Sequence, residues 1–341
     1  MIRAGTRSLP AGLVRTRPLI AEALHGAVDR LPDLLRLPVA YHLGLSDAEG
    51  HATNGDGGKA IRPAITLLAA EAVGADPRAA LPGAVALELV HNFSLLHDDV
   101  MDGDRERRHR PTVWALFGVG EAIVAGDALK ALALEILLED GRPESRRAAL
   151  ELTRATAEMI RGQAEDLAFE SRLDVTEDEA LAMSAHKTAA LLSCAGVLGA
   201  LLGGAEDRTV EGLRTFGWEL GIAFQAVDDV LGIWGDPAVT GKPVASDLRQ
   251  HKKTIPVVHA LTSCGSVGTR LRLALSNGEL GEEAVADAVR ALEESGSREW
   301  TAALAARHLA AALASIDATG LEPSAADELR EVALFVTGRA F

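Results

Sequence analysis

Apolar residues recur at helical spacing from about residue 18 to about residue 338, and no run alternates apolar with polar residues between turn dipeptides. Leu and Ala dominate, and aromatic residues make up only 4 % of the 341 residues, so little in the chain favours strands. The expected fold class is all-α. Clusters such as "LSDAEGHATNGDGG", "GADPRAALPG" and "GDPAVTGKPVASD" punctuate the pattern, as Gly, Pro, Asp and Ser do at helix ends. No composition shift marks a second fold. The expectation is a single large helical bundle of about ten to twelve helices over residues 18–341, preceded by an arginine-rich mobile tail, residues 1–17.

Residues 188–205, "TAALLSCAGVLGALLGGA", carry no charge and reach the lower length of a membrane span, about 17 residues. They are rich in Gly and Ala, lack interfacial aromatics and are bounded by Lys187 and Glu206, which fits a helix buried on all sides. No membrane span is expected. A net charge of −15 argues against nucleic acid as the main partner. Cys194 and Cys264 make neither a disulfide framework nor a zinc spacing, which suits a reducing, cytoplasmic setting.

Against this background one stretch stands out, "HDDVMDGDRERRHRPT" at 97–112. A solvated loop could carry such a mixture of charge. On a helix, however, Asp98 and Asp102 share a face roughly 5–6 Å apart, where like charges repel by a few tenths of a kcal/mol, and Asp is a poor helix former. A hard divalent cation offsets that repulsion. Mg²⁺ takes carboxylate oxygens and completes its shell with water and phosphate, while the arginines that follow suit phosphate oxygens. A second acidic helix end, "FQAVDDVLGIWGD" at 224–236, echoes "FSLLHDDVMDGD" at 93–104, and the two are expected to face each other across a central cavity. Among 34 basic residues, six are Lys: Lys59, Lys130, Lys187, Lys242, Lys252 and Lys253. Most sit beside Gly, Thr or Pro, where a compact point charge is wanted.

DDxxD, then RR and PT, then KT, then FQxxDD and GK, in that order, resemble the trans-isoprenyl diphosphate synthases over roughly residues 18–340. The resemblance implies an isoprenoid-synthase-type bundle, a homodimer, and about three Mg²⁺ ions as cofactor. It implies an enzyme, a prenyltransferase that condenses isopentenyl diphosphate with allylic diphosphates. By position, Asp98, Asp99 and Asp102 would hold metal, as would Asp228 with Asp229 beside it. Lys59, Arg62, His91 and Arg108 would hold isopentenyl diphosphate. Arg107, Lys187, Lys242 and Lys252 would contact the allylic diphosphate, with Thr188, Gln163, Gln225 and Asp247 in support. Alone, each has a plainer reading: Lys59 a loop charge, His91 a core histidine, Gln163 a surface residue. Their joint order outweighs these.

Two positions depart from the family pattern. Gly232 stands where a third Asp is usual, which leaves the last ligand of the second motif open, with Asp236 one turn further on. His109 stands where Gly is usual and alters the loop's shape or adds a donor. Phe93, five residues before Asp98 and about 7.5 Å along the helix, followed by the small Ser94, resembles the pattern of enzymes making the twenty-carbon product. Geranylgeranyl diphosphate is therefore expected. A terpene cyclase, or a product of another length, is the alternative.

Overall fold

The structure, a computed structural model, describes residues 8–53, 58–236, 244–263, 265–276 and 281–338. Sixteen α-helices lie among them, with strands confined to one hairpin, Glu106–Arg107 paired with Arg110–Pro111, and an isolated bridge between Ser46 and Ala52. The all-α expectation holds. The helices outnumber the sequence expectation because short ones, such as Val113–Phe117 and Ser246–Arg249, form inside or beside the breaks. The chain divides into two compact units interleaved along the sequence. One comprises Met1–Arg154, Cys194–Arg214 and Ile316–Phe335; the other comprises Ala155–Ser193, Thr215–Ser315 and Val336–Phe341. Because both units draw on several separated segments, no change in composition marks their boundary.

The first unit contains α1 (Ala11–Val28), α2 (Asp33–His42), α3 (Ile61–Ala72), α4 (Leu81–Met101), α5 (Val113–Phe117) and α6 (Val119–Glu139). Helix α4 packs along α6 and buries Leu87, Leu89 and Leu96 completely, each worth about 1.5–3 kcal/mol of apolar transfer. The start of α1 corrects the expected tail: the helix begins at Ala11, with Leu13 and Thr16 buried, and runs on through Pro18. The reason is not local. Arg15 forms ion pairs with Glu71 at 2.6 Å and Glu328 at 2.5 Å, partners far away in sequence.

The uncharged run becomes α9 (Ala190–Leu202). Its glycines allow backbones to approach: a Cβ on Gly199 would lie 2.6 Å from the Cβ of Ala69. Two helical stretches, Pro77–Met101 and Glu177–Leu202, are long and apolar enough to cross a membrane, yet 72 % and 89 % of their apolar windows are buried inside the protein. The sequence reading singles out only the second. Both serve as core.

In the second unit, α7 (Pro143–Glu170, which starts in the first unit) and α8 (Glu177–Ser184) lead to a π-helical turn, Ala185–Ala189. A capping box starts α8, with the Thr176 hydroxyl accepting from Glu179 N–H and the Glu179 carboxylate accepting from Thr176 N–H. Helix α10 (Asp207–Trp234), which also starts in the first unit, and α11 (Ser246–Arg249) are followed by α12 (Ile255–Thr262), α13 (Ser266–Ser276), α14 (Glu282–Glu294) and α15 (Ser297–Thr319), while α16 (Pro323–Thr337) belongs almost wholly to the first unit. Ile233, Leu248, Val257, Leu271 and Leu292 form one of this unit's cores. Gly217 of α10 lies so near the preceding segment that a Cβ would stand 2.6 Å from Ser193 Cα. Gly217→Ala should therefore overpack this contact and lower stability by about 1–3 kcal/mol. Urea unfolding should show this as a lower midpoint with an unchanged m-value.

Candidate active site

The last turn of α4 carries the first acidic motif. Asp102 caps the helix, its N–H donating to Asp98 O at 2.8 Å, and both side chains are partly exposed. Asp99 faces the other way. It is 1 % exposed, its Oδ1 accepts from Arg107 Nε at 2.8 Å, and its Oδ2 is buried without a hydrogen-bond partner. Burial pushes its carboxyl up to about 6, against the opposing pull of Arg107.

Arg107 reaches Asp99 because the chain turns back at once in the Glu106–Pro111 hairpin. Its two turn residues, Arg108 and His109, have φ of +52° and +60°, the left-handed pair that a two-residue hairpin turn demands. That explains why Gly is usual at 109: His109 occupies a left-handed position at a conformational cost of about 1 kcal/mol. Thr112 Oγ1 and Trp114 Nε1 both donate to Asp104 O, at 2.9 and 2.8 Å, which pins the hairpin to the end of α4. A small recess beside it is lined by Tyr41, His42, Asp99, Arg107, Arg108 and Arg110.

A second basic group assembles in the same unit. Arg62 Nη1 lies 3.2 Å from His91 Nε2. Gly58, at φ +102°, leaves no room for a side chain because the Arg108 guanidinium lies against it. Lys59 Nζ stands 5.1 Å above the Phe335 ring. Burial, reinforced by Arg62 and Arg108, holds His91 far below its ordinary pKa. Its imidazole is therefore neutral and receives the Arg62 N–H. Four residues expected to hold one diphosphate thus adjoin: Arg62 meets His91, and Arg108 meets the loop that carries Lys59.

In the second unit, Lys187 and Thr188 sit on the π-helical turn, a distortion that helices often show at functional sites. Gly162 of α7 admits that turn, since a Cβ there would lie 2.7 Å from Lys187 Cα. Lys187 Nζ donates to Asp166 Oδ2 at 2.6 Å. The sequence reading missed Asp166, although "GQAED" sets it three residues after Gln163 on one helix face. Gln163 is buried, not on the surface, and neither amide atom has a hydrogen-bond partner. Thr188 Oγ1 donates to Gln225 Oε1 (2.5 Å), Gln225 Nε2 donates to Asp229 Oδ1 (2.7 Å), and Ile255 N–H donates to Asp229 Oδ2 (2.9 Å).

Asp229 is 3 % exposed, and burial raises its carboxyl to about 7. Asp228 is partly exposed. Of the two adjacent lysines, Lys253 is 1 % exposed and donates to Glu170 O and His251 O, at 3.0 and 2.8 Å, so it ties down the end of α7. Lys252 remains partly exposed. Lys242 and Cys264 lie outside the described residues.

The donors suit Mg²⁺. Asp98, Asp102 and Asp228 offer only carboxylate oxygens, and no His or Cys joins them in metal spacing. A separate group, Asp47, Glu49 and His51, also brings ligand atoms together. There, however, the Asp47 carboxylate already accepts from Glu49 N–H, His51 N–H and the His51 ring, as a loop-closing Asp does.

The family model described as polyprenyl synthetase matches residues 47–292. The chain belongs to the polyprenyl synthetase family. It is 48 % identical to a (2E,6E)-farnesyl diphosphate synthase of Mycobacterium tuberculosis, over 99 % of this chain and 95 % of that protein. It is also 48 % identical to a geranylgeranyl diphosphate synthase of the same species, over 76 % of this chain and 74 % of that one. The crystal structure of a polyprenyl synthetase from Streptomyces coelicolor A3(2) matches with a TM-score of 0.91 at 50 % identity, covering 96 % of this chain and 98 % of that one. The fold is that of the all-α isoprenoid synthases. Polyprenyl synthetase membership makes the protein a prenyltransferase that uses isoprenoid diphosphates.

His42, unforeseen from the sequence, adds a pH dependence. Its burial, and next the charges of Arg107 and Arg108, lower its pKa from 6.5 to about 3. The unfolded chain therefore binds a proton that the folded protein refuses. This stability is complete above pH 6.5 and is lost as pH falls toward 3, with a slope approaching about 1.4 kcal/mol per pH unit. Unfolding free energies measured across that range should flatten by about this slope in His42→Asn; an unchanged slope would remove His42 from the account.

Proposed function

We propose that the enzyme condenses isopentenyl diphosphate with allylic diphosphates, releases diphosphate, and ends at geranylgeranyl diphosphate. The observation that carries this is the grouping of Lys59, Arg62, His91 and Arg108 in the unit that bears the Asp98–Asp102 carboxylate pair. A terpene cyclase handles one diphosphate and has no use for a second basic group.

In this reading Asp98 and Asp102 hold metal in one unit and Asp228 holds it in the other, in a cytoplasmic homodimer using about three Mg²⁺ ions. Bound Mg²⁺ acts as a Lewis acid and neutralises charge on the departing diphosphate. Asp99 and Asp229 take other parts, since Asp99 orients Arg107 and Asp229 anchors Gln225 and, through it, Thr188. Arg107, Lys187, Lys242 and Lys252 stabilise the charge that grows on the leaving group. Asp166 aims Lys187 at that task. As the allylic C–O bond breaks, its electron pair leaves with the diphosphate. The double bond of isopentenyl diphosphate, fixed by Lys59, Arg62, His91 and Arg108, supplies the electrons for the new C–C bond. A proton then passes to the released diphosphate.

Product length follows from Phe93 and Ser94. Phe93 is buried, its ring edge-on to His97 at 4.8 Å and 5.6 Å below the Lys130 ammonium, so it makes a firm stop one and a half turns before Asp98. Ser94 turns its hydroxyl back to His91 O at 2.8 Å and leaves the adjacent face small. The relative named farnesyl diphosphate synthase favours a second reading, a fifteen-carbon product.

Incubation with isopentenyl diphosphate and each allylic primer, followed by dephosphorylation and chromatography, decides between them. A twenty-carbon product is expected, and a chelator should abolish it. Phe93→Ala should lengthen it by at least one five-carbon unit. An end point at fifteen carbons with every primer favours the second reading, and failure to consume isopentenyl diphosphate refutes both.

A further inference from the structure

The second acidic motif ends in Gly232, yet the space of a side chain at that position is filled. A Cβ built on Gly232 would lie 2.6 Å from the Cγ of Asp247 and 3.0 Å from its Oδ1. Gly232 follows Asp228 by four residues, so it occupies the same helix face, as Asp102 does relative to Asp98. A carboxylate from another segment thus stands where the first motif has its own third Asp.

The segment that delivers Asp247 is fixed to α10 on both sides of that residue. Ala245 N–H donates to Ile233 O at 3.2 Å, and Ser246 Oγ donates to Gly232 O at 3.4 Å. Leu248 is fully buried in the core that contains Ile233 and Val257. Lys252 N–H closes the turn on Asp247 O at 2.9 Å. Ala245 adopts φ +57°, a left-handed conformation that costs about 1–2 kcal/mol in a residue other than Gly. Backbone strain at Ala245 thus accompanies the placement of a carboxylate against Gly232.

We propose that Asp247 supplies the third carboxylate of the second metal site, in place of the side chain that Gly232 lacks. This rests on the reading of Asp228 as a ligand of diphosphate-bound Mg²⁺. Gly232 is then a requirement of the site rather than a defect in it, because any side chain at 232 would displace the Asp247 carboxylate. Asp236, a turn beyond, is not needed for this role.

The test is Mn²⁺ binding by the full-length protein with inorganic pyrophosphate, followed by electron paramagnetic resonance, which needs no turnover. Asp247→Asn keeps the side chain's shape and should weaken Mn²⁺ binding at one site tenfold or more. Gly232→Ala should do the same by pushing the carboxylate away. Gly232→Asp combined with Asp247→Gly should restore binding, since the carboxylate then comes from α10 itself. If Asp247→Asn and Gly232→Ala both bind Mn²⁺ like the wild type while Asp228→Asn loses it, Asp247 is not a ligand, although the diphosphate reading stands. If Asp98→Asn, Asp102→Asn and Asp228→Asn all bind like the wild type, the metal reading itself falls, and this proposal with it.

Discussion

Repulsion between carboxylates toward helix C-termini is the constraint around which the acidic motif of each unit is arranged. Asp98 and Asp102 share the last turn of α4, and Asp228 lies two turns from the end of α10. A close pair of like charges costs a few tenths of a kcal/mol, and in the last turn of α4 the negative end of the helix dipole adds about 0.3–1 kcal/mol where it is not screened. Apolar packing of α4 along its length maintains the helix despite these terms. The fold can therefore hold negative charge ready for a cation, at modest cost to its own stability.

Each Asp-Asp pair divides its labour in the same way, with different partners. The first residue stays partly exposed, while the second turns inward and becomes a support: Asp99 holds Arg107, and Asp229 takes Gln225 Nε2 and Ile255 N–H. Burial raises both inner carboxyls, to about 6 and about 7. Neighbouring residues of one type are thus separated into an exposed carboxylate and a buried brace by about 100° of helix rotation. The same division separates Lys252 from Lys253, of which the latter is consumed in capping α7.

The sequence made the helical class legible through periodicity, because helix spacing is a local property. It also made the outer carboxylates legible, since an acidic pair at a four-residue spacing has a local electrostatic cost. It hid whatever depends on distant partners. The early start of α1 rests on Glu71 and Glu328, and the brace on Lys187 rests on Asp166, twenty-one positions away. His42 gives no motif signal, because its surroundings of Arg107, Arg108 and Arg110 come together only on folding. Gly232 reads as a loss in sequence for the same reason, as its compensation comes from the segment around Ala245.

The most direct test of the central claim is the stability of Asp102→Asn with and without Mg²⁺ and inorganic pyrophosphate. If the acidic turn exists for a cation, the variant should be at least as stable as the wild type in chelator, because one like-charge repulsion is gone. It should also lose most of the stabilisation that Mg²⁺ and pyrophosphate confer together on the wild type, which amounts to about 2.7 kcal/mol at a hundred times the dissociation constant. A variant that is less stable in chelator, and that gains as much as the wild type from Mg²⁺ and pyrophosphate, would contradict the account.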